Sequence, residues 1–192
     1  MEQEFWDRGY LIIEGLLDQG QLDLISAAMN KAEQDDVLRE CTVDGIDAAM
    51  DQYSPYAGEF LLRHCRERIE RHLGRELLDG FAYWRIYQSG GTLLKHIDRA
   101  ACEISVSLTV EADPEAPAWP LMVVDLQGNE RAIELPPGTG IVYQGHKIQH
   151  WREPFAGQSQ KQLLMSYVLK DGEFADYAFD ARGFDPLARD PA

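Results

Sequence analysis

Apolar and polar residues alternate with two different periods along this chain, helical in its first third and β-like beyond residue 80. In LDQGQLDLISAAMNKAEQ, Leu22, Ile25 and Met29 fall three to four residues apart, the spacing of one helical face. In FLLRHCRERIERHLG, Leu61, Cys65, Ile69 and Leu73 recur every four residues and Gly74 supplies a stop, which predicts a second amphipathic helix. His64 and His72 lie on it among charged residues and read as solvated. The earlier YLIIEGLL predicts a short strand entering a turn. Residues 35–56 carry Asp35, Asp36, Glu40, Asp44, Asp47 and Asp51 among apolar residues of no clear period. They read as a solvated acidic loop, with a mobile lid as the alternative.

From residue 81 short β-like runs follow one another: FAYWRIYQ, CEISVSLTVEA, PLMVVDLQ, RAIEL, GIVYQG and KQLLMSYVLK. The breakers SGG, DPEAPAWP, GN and PPGTG separate them, with no helical stretch between. Closely spaced short strands predict an antiparallel sandwich or barrel, and a jelly-roll would use up this length. The fold expected is therefore α+β: a double-stranded β-helix (jelly-roll) core with N-terminal flanking helices. At 192 residues one domain is expected, helical over about 1–78, jelly-roll over about 79–170, with a tail at 171–192. The tail DGEFADYAFDARGFDPLARDPA alternates aromatics with acids, and either folds back across the barrel mouth or frays.

Composition narrows the function classes. A formal net charge of −15 argues against nucleic acid and anionic membrane as partners, since both require a basic face. Cys41, Cys65 and Cys102 are an odd, widely spaced set, expected as reduced thiols. With no membrane-length apolar run and an acidic start, MEQEFWDRGYLIIEGLL, a cytoplasmic protein is expected.

The candidate chemistry lies in KHIDRAACEIS, where His96 and Asp98 stand two positions apart. Alternation along a strand points residues i and i+2 to the same side, so both can address one point. A third ligand from another strand would complete a two-histidine, one-carboxylate site that leaves positions open on non-haem Fe(II). Taken alone, a histidine and an aspartate at this spacing read as a loop pair with no metal. Arg99 and Glu103 flank the pair and read as a structural ion pair, and Trp84, Trp119, Trp151 and Tyr143 as core aromatics.

More than the pair fits. YQSGGTLLKHID places Tyr87 nine residues before His96, and LPPGTGIVYQGHKIQHWREPF gives a Pro-Gly turn, a short strand, and His150 followed by Pro154 and Phe155. This order of parts resembles the jelly-roll 2-oxoglutarate/Fe(II) dioxygenases, in particular the prolyl-hydroxylase-like branch, over roughly residues 80–170. HIDRAACEIS, AWPL and HWREPFAG resemble segments of a group of small bacterial members of that superfamily.

The resemblance implies Fe(II) held by His96, Asp98 and His150, with 2-oxoglutarate and O2 as co-substrates. The reaction implied is hydroxylation of a small molecule, amino acid or peptide residue, with release of succinate and CO2. It also implies His150 rather than His146 as the distal ligand, since the superfamily histidine precedes a Pro and an apolar residue. The glycine-punctuated, β-rich surroundings of His146 argue against a helical histidine pair. The far carboxylate of 2-oxoglutarate needs a cation inside the barrel. Lys161, eleven residues after His150, approximates the family spacing; Arg152, two residues after it, shares its face and is favoured. Tyr87 can donate its hydroxyl to the same carboxylate, and reads equally as a buried core tyrosine. Two other readings stay open: a cupin-like metalloenzyme that does not use 2-oxoglutarate, and a non-enzymatic binding module on the same scaffold. Oligomeric state and substrate identity are not legible.

Overall fold

The computed structural model describes residues 2–42, 45–183 and 185–187. Three helices precede or interrupt the first strands. Helix α1 (Glu2–Arg8) ends at Gly9, whose φ of 86° suits glycine, and leads into β1 (Tyr10–Ile13). Helix α2 (Gln19–Gln34) opens on a reciprocal cap: Gln21 N–H donates to Asp18 Oδ1 and Asp18 N–H donates to Gln21 Oε1, each at 2.9 Å. It buries Leu22, Ile25 and Met29, as its spacing predicts. Helix α3 (Tyr56–Leu73) buries Leu61, Cys65, Ile69 and Leu73 and stops at Gly74 in the left-handed region, φ 64°. His64 and His72 lie on its outer side, where His72 Nδ1 donates to Arg68 O.

The sheet is built on one long strand. β4 (Leu77–His96) pairs on one edge first with β10 (Ser159–Leu169) and then with β9 (Gln149–Arg152). Its other edge takes β3 (Ile46–Tyr53), which also pairs the short β2 (Arg39–Glu40). The remaining strands are β5 (Ile104–Glu111), β6 (Leu121–Val124), β7 (Glu130–Ile133) and β8 (Gly140–Tyr143). They complete the antiparallel order β1-β8-β5-β10-β4-β9-β6-β7. This is the α+β jelly-roll expected, with helices at its N-terminal side. Helices α1, α2 and α3 share one core with the strands, where Ile25, Leu62 and Ile69 join Leu108, Leu163 and Tyr167. Tyr167 donates to Leu62 O at 2.6 Å.

Three features differ from expectation, and one open alternative is decided. SGG does not end a strand; β4 runs through it and bends, with Gly90 at φ 80°. There the ladder passes to the loop after β9: Gly90 N–H donates to Phe155 O and Phe155 N–H to Gly91 O, at 2.8 and 2.9 Å. The acidic segment is not a loop over Ile46–Tyr53 but a strand, whose register shifts between Asp47 and Ala49 as Ala48 takes φ 46°. That bulge breaks the period of two that would have revealed it; Asp44 lies outside the described residues. Arg99 and Glu103 do not pair: Arg99 meets Asp180 at 2.6 Å, while Glu103 Oε2 accepts Leu169 N–H at 2.7 Å. Finally, the tail does fold back as far as it is described. Asp180 Oδ2 accepts Tyr53 OH at 2.7 Å, and Arg182 donates to Ser54 Oγ and Gly80 O. Residues 184 and 188–192 of the tail lie outside the described residues.

No disulfide joins Cys41, Cys65 or Cys102, and burial pushes the Cys65 and Cys102 thiols up to about 12. Among the described residues no helix is long and apolar enough to cross a membrane. Ile69, fully buried where α3 meets the sheet, reports on this packing. Ile69→Ala should destabilise the fold by about 2–5 kcal/mol through lost burial and the cavity left behind. Urea unfolding followed by circular dichroism checks it; an unchanged midpoint would mean that the helix does not pack as described.

Candidate metal centre

The site forms where the end of β4 meets β9. Their register sets His96 directly opposite His150, with ring centroids 4.3 Å apart. Asp98 lies two residues beyond the strand end, and its backbone is fixed by N–H donation to Gly145 O at 2.9 Å. Ser105 Oγ donates to Asp98 Oδ2 at 2.8 Å, which leaves Oδ1 facing the histidines, 3.4 Å from His96 Nε2 and 3.6 Å from His150 Nε2. Each imidazole is anchored by its other nitrogen: His96 Nδ1 donates to Leu94 O at 2.7 Å and His150 Nδ1 to Ile148 O at 3.0 Å. A carbonyl accepts only from N–H, so each anchored nitrogen carries a proton and the two Nε2 atoms converge on the carboxylate. The three ligand atoms lie within 4.8 Å of one another, a set able to hold one metal ion with positions left open.

The surroundings favour the metal-binding protonation state at Asp98 and His150. Burial pushes the Asp98 carboxyl up, but hydrogen bonds from His96 and Ser105 and the nearby His150 outweigh it and hold the group below its usual range. Burial holds His150 below its ordinary value, towards the neutral ligand form. His96, hydrogen-bonded to Asp98, is raised and is also the exposed member, with 39 % of its side chain open against 4 % for His150. His146 stands apart: it stacks edge-on against Phe174 and its Nδ1 donates to Glu103 O at 3.3 Å.

The three residues open into a cavity of about 330 Å³ that Arg85, Tyr87, Ser107, Arg152 and Gln162 also line. Arg152, two residues after His150 on the same face of β9, is 3 % exposed. Its Nη1 donates to Trp119 O at 2.7 Å and its guanidinium lies 4.5 Å over the Trp119 ring, while Nη2 has no partner. No described carboxylate pairs with it, and burial pulls its pKa down to about 10. Tyr87 lies in the same wall, edge-on to Trp119 at 4.9 Å. Lys161 is not brought to the cavity. It stands opposite Glu111 across the β10–β5 ladder and pairs with it at 2.7 Å, with Ser26 Oγ at 3.1 Å.

Of the aromatics expected in the core, Trp84 and Tyr143 are buried there, and Tyr143 also lines the cavity, its hydroxyl donating to His150 Nε2 at 3.4 Å. Trp151 is outside the core, with Lys95 Nζ 4.1 Å over its ring. Sequence reasoning missed two residues. Arg85 is buried in the cavity wall, and an arginine alternating with Tyr83 and Tyr87 inside an apolar strand was the available signal. Gly145 gave none, because its role is space: a Cβ there would lie 2.5 Å from both Asp98 Oδ2 and Cys102 O.

No family model matches the chain, and no curated protein matches it. Solved structures do match its fold. A prolyl-4-hydroxylase from Pseudomonas putida aligns at a TM-score of 0.71 and 17% identity, over 86% of this chain and 95% of that one. A prolyl hydroxylase from Trichoplax adhaerens, in complex with a hypoxia inducible factor peptide fragment, aligns at 0.70 and 12% identity, over 86% of each chain. HygX from Streptomyces hygroscopicus, with nickel, 2-oxoglutarate and hygromycin B bound, aligns at 0.67 and 9% identity, over 86% of this chain and 84% of that one. The chain thus has the jelly-roll fold seen in prolyl hydroxylases and other 2-oxoglutarate/Fe(II) oxygenases; at these identities the likeness carries the architecture and not the reaction.

Two outcomes are expected of this geometry. His96→Ala, Asp98→Ala and His150→Ala should each lose Fe(II) at high occupancy while His146→Ala keeps it, as metal analysis of the purified variants reads. Loss of iron from His146→Ala with retention by His150→Ala would overturn the ligand set. Gly145→Ala should lower metal affinity about 10-fold or more by displacing Asp98, an effect in the range seen when groups that orient a ligand are altered. Unchanged affinity would show that the Gly145 contact does not position the carboxylate.

Proposed function

We propose that this protein is an Fe(II)- and 2-oxoglutarate-dependent oxygenase that hydroxylates a small molecule, amino acid or peptide residue, releasing succinate and CO2. One observation carries the reading beyond the fold: a fully enclosed guanidinium, with a donor that nothing accepts, lining the same cavity as His96, Asp98 and His150. A buried donor left unsatisfied costs about 1–3 kcal/mol, and a buried unpaired charge costs more. A carboxylate arriving with a ligand removes both costs at once.

The donor set fits the groups this reading needs. Two imidazoles and one carboxylate, each oriented by a hydrogen bond, suit Fe(II) and leave room for other ligands. Iron and 2-oxoglutarate, when bound, would supply the oxidising power for C–H hydroxylation by O2. The chain's own part is positioning. Arg152 holds the far carboxylate of the co-substrate, with Nη2 free to donate while Nη1 stays on Trp119 O. Trp119 seats that guanidinium through its ring, and the Tyr87 hydroxyl lies in the same wall. Lys161, already neutralised by Glu111, has no part in it. Reduced thiols accord with a cytoplasmic setting, which is part of the proposal.

Arg152→Ala should weaken 2-oxoglutarate binding by about two orders of magnitude or more, at about 1.4 kcal/mol per tenfold, with iron binding nearly unchanged. Arg152→Lys should restore little, because a point charge does not replace the planar fork. Lys161→Ala should bind as the wild type does. Titrating 2-oxoglutarate into the anaerobic Fe(II) protein, followed by its metal-to-ligand charge-transfer band, reads all three. No band in the wild type, or no effect of Arg152→Ala, would favour a metalloenzyme that works without 2-oxoglutarate.

A further inference from the structure

Two buried arginines face this cavity, and 2-oxoglutarate accounts for one. Arg85 Nε and Arg152 Nη2 are the buried side-chain polar atoms without a partner among the described residues. Arg85, 6 % exposed, comes from the middle of β4. Asp51 on β3 holds it by a single contact, Nη2 to Oδ2 at 3.1 Å, and the Tyr87 hydroxyl accepts weakly from Nη1 at 3.4 Å. Asp51 thus supplies the countercharge that lets the guanidinium stay ionised, yet leaves its Nε side without an oxygen. A guanidinium has five donors in a rigid fork, so Arg85 keeps donor capacity for a further oxygen acceptor from the cavity that it lines.

The rest of the wall says what that ligand resembles. Phe81, Tyr83, Leu93, Ile97 and Leu164 line the cavity with apolar surface. At about 330 Å³ the space is at the small end of ligand pockets and must also admit the co-substrate. The returning tail packs beside two lining residues: Asp180 is tied to Arg99 at 2.6 Å and to Tyr53 at 2.7 Å, and Arg99 stacks 4.9 Å over Phe81. A free small molecule fits this enclosure better than a polypeptide segment.

We propose that Arg85 anchors the substrate, and that the substrate is a small carboxylate-bearing molecule with an apolar body, its carboxylate on the Nε side of Arg85. This rests on the Fe(II)/2-oxoglutarate reading, in which Arg152 is committed to the co-substrate. Arg85 then selects for the acid and the apolar wall holds the carbon to be oxidised.

The test uses calorimetry on the Zn(II)-loaded protein, which cannot turn over, with and without 2-oxoglutarate. The probes are hexanoate, phenylacetate, N-acetyl-L-leucine and N-acetyl-L-phenylalanine, each against its primary amide. At least one acid should bind ten-fold or more tighter than its amide. Arg85→Gln should abolish that preference while leaving 2-oxoglutarate affinity within about twofold of wild type. Should the lone Asp51 carboxylate prevent folding of that variant, Arg85→Gln combined with Asp51→Asn removes the charge pair together and must give the same result. Equal binding of acids and amides, no binding of any acid, or a preference that survives loss of Arg85 would overturn the proposal. So would a hundredfold loss of 2-oxoglutarate affinity in Arg85→Gln, which would assign Arg85 to the co-substrate. Failure of the wild type to bind 2-oxoglutarate would instead strike the parent reading, and the acid-over-amide comparison without it would still judge Arg85.

Discussion

The pairing of β4 with β9 is the constraint from which the rest of the site follows. β4 is twenty residues long because it does not stop at its glycine pair but bends there, exchanging β10 for β9 along one edge. One strand thereby carries Arg85 and Tyr87 before the bend and His96 after it, all facing the same cavity. The same pair of strands, across a register shift between Leu93 and His96, opposes His96 to His150 and Leu93 to Arg152, so the two histidines and the buried cation are placed by one ladder. Gly91 is tight for this reason: a Cβ there would lie 2.9 Å from Gln88 O and 3.1 Å from the Tyr87 ring.

The cavity is organised by which charges have partners. Arg85 has Asp51, Lys161 has Glu111, and Arg99 has Asp180, whereas Arg152 has a carbonyl and an indole face. In a low-dielectric interior a cation without an anion is costly, and such groups are retained where a ligand completes them. The His96–Asp98–His150 set shows the same incompleteness. Its hydrogen bonds bring three ligand atoms from β4, the turn after it and β9 toward one point. Under the proposed function, a divalent metal among the three ligand atoms and a dianionic co-substrate on Arg152 would supply the opposing charges.

Much of this was legible in the sequence because strand alternation and helix periodicity are local rules. α3 was set by four apolar residues at one spacing and by a glycine stop, and the strands from β5 to β8 by apolar runs between turn residues. What was not legible depended on partners. β3 was hidden by the bulge at Ala48 and by acids of which one, Asp51, points to Arg85 rather than to water. β9 is four residues long and its order comes from its neighbours on either side. Lys161 has the right distance from His150 along the chain, but the register shift between Lys161 and Gln162 and the pairing with Glu111 decide where its side chain goes. Gly145 matters only through what crowds against it in three dimensions.

The central claim is that one cavity holds both a divalent metal and 2-oxoglutarate, through His96, Asp98, His150 and Arg152. A crystal structure of the protein with Mn(II) and 2-oxoglutarate tests it most directly. Anomalous density should lie among His96 Nε2, Asp98 Oδ1 and His150 Nε2, with the far carboxylate of 2-oxoglutarate on Arg152 Nη2. Metal bound elsewhere, or the carboxylate seated on another cation with Arg152 still unpartnered, would contradict the account.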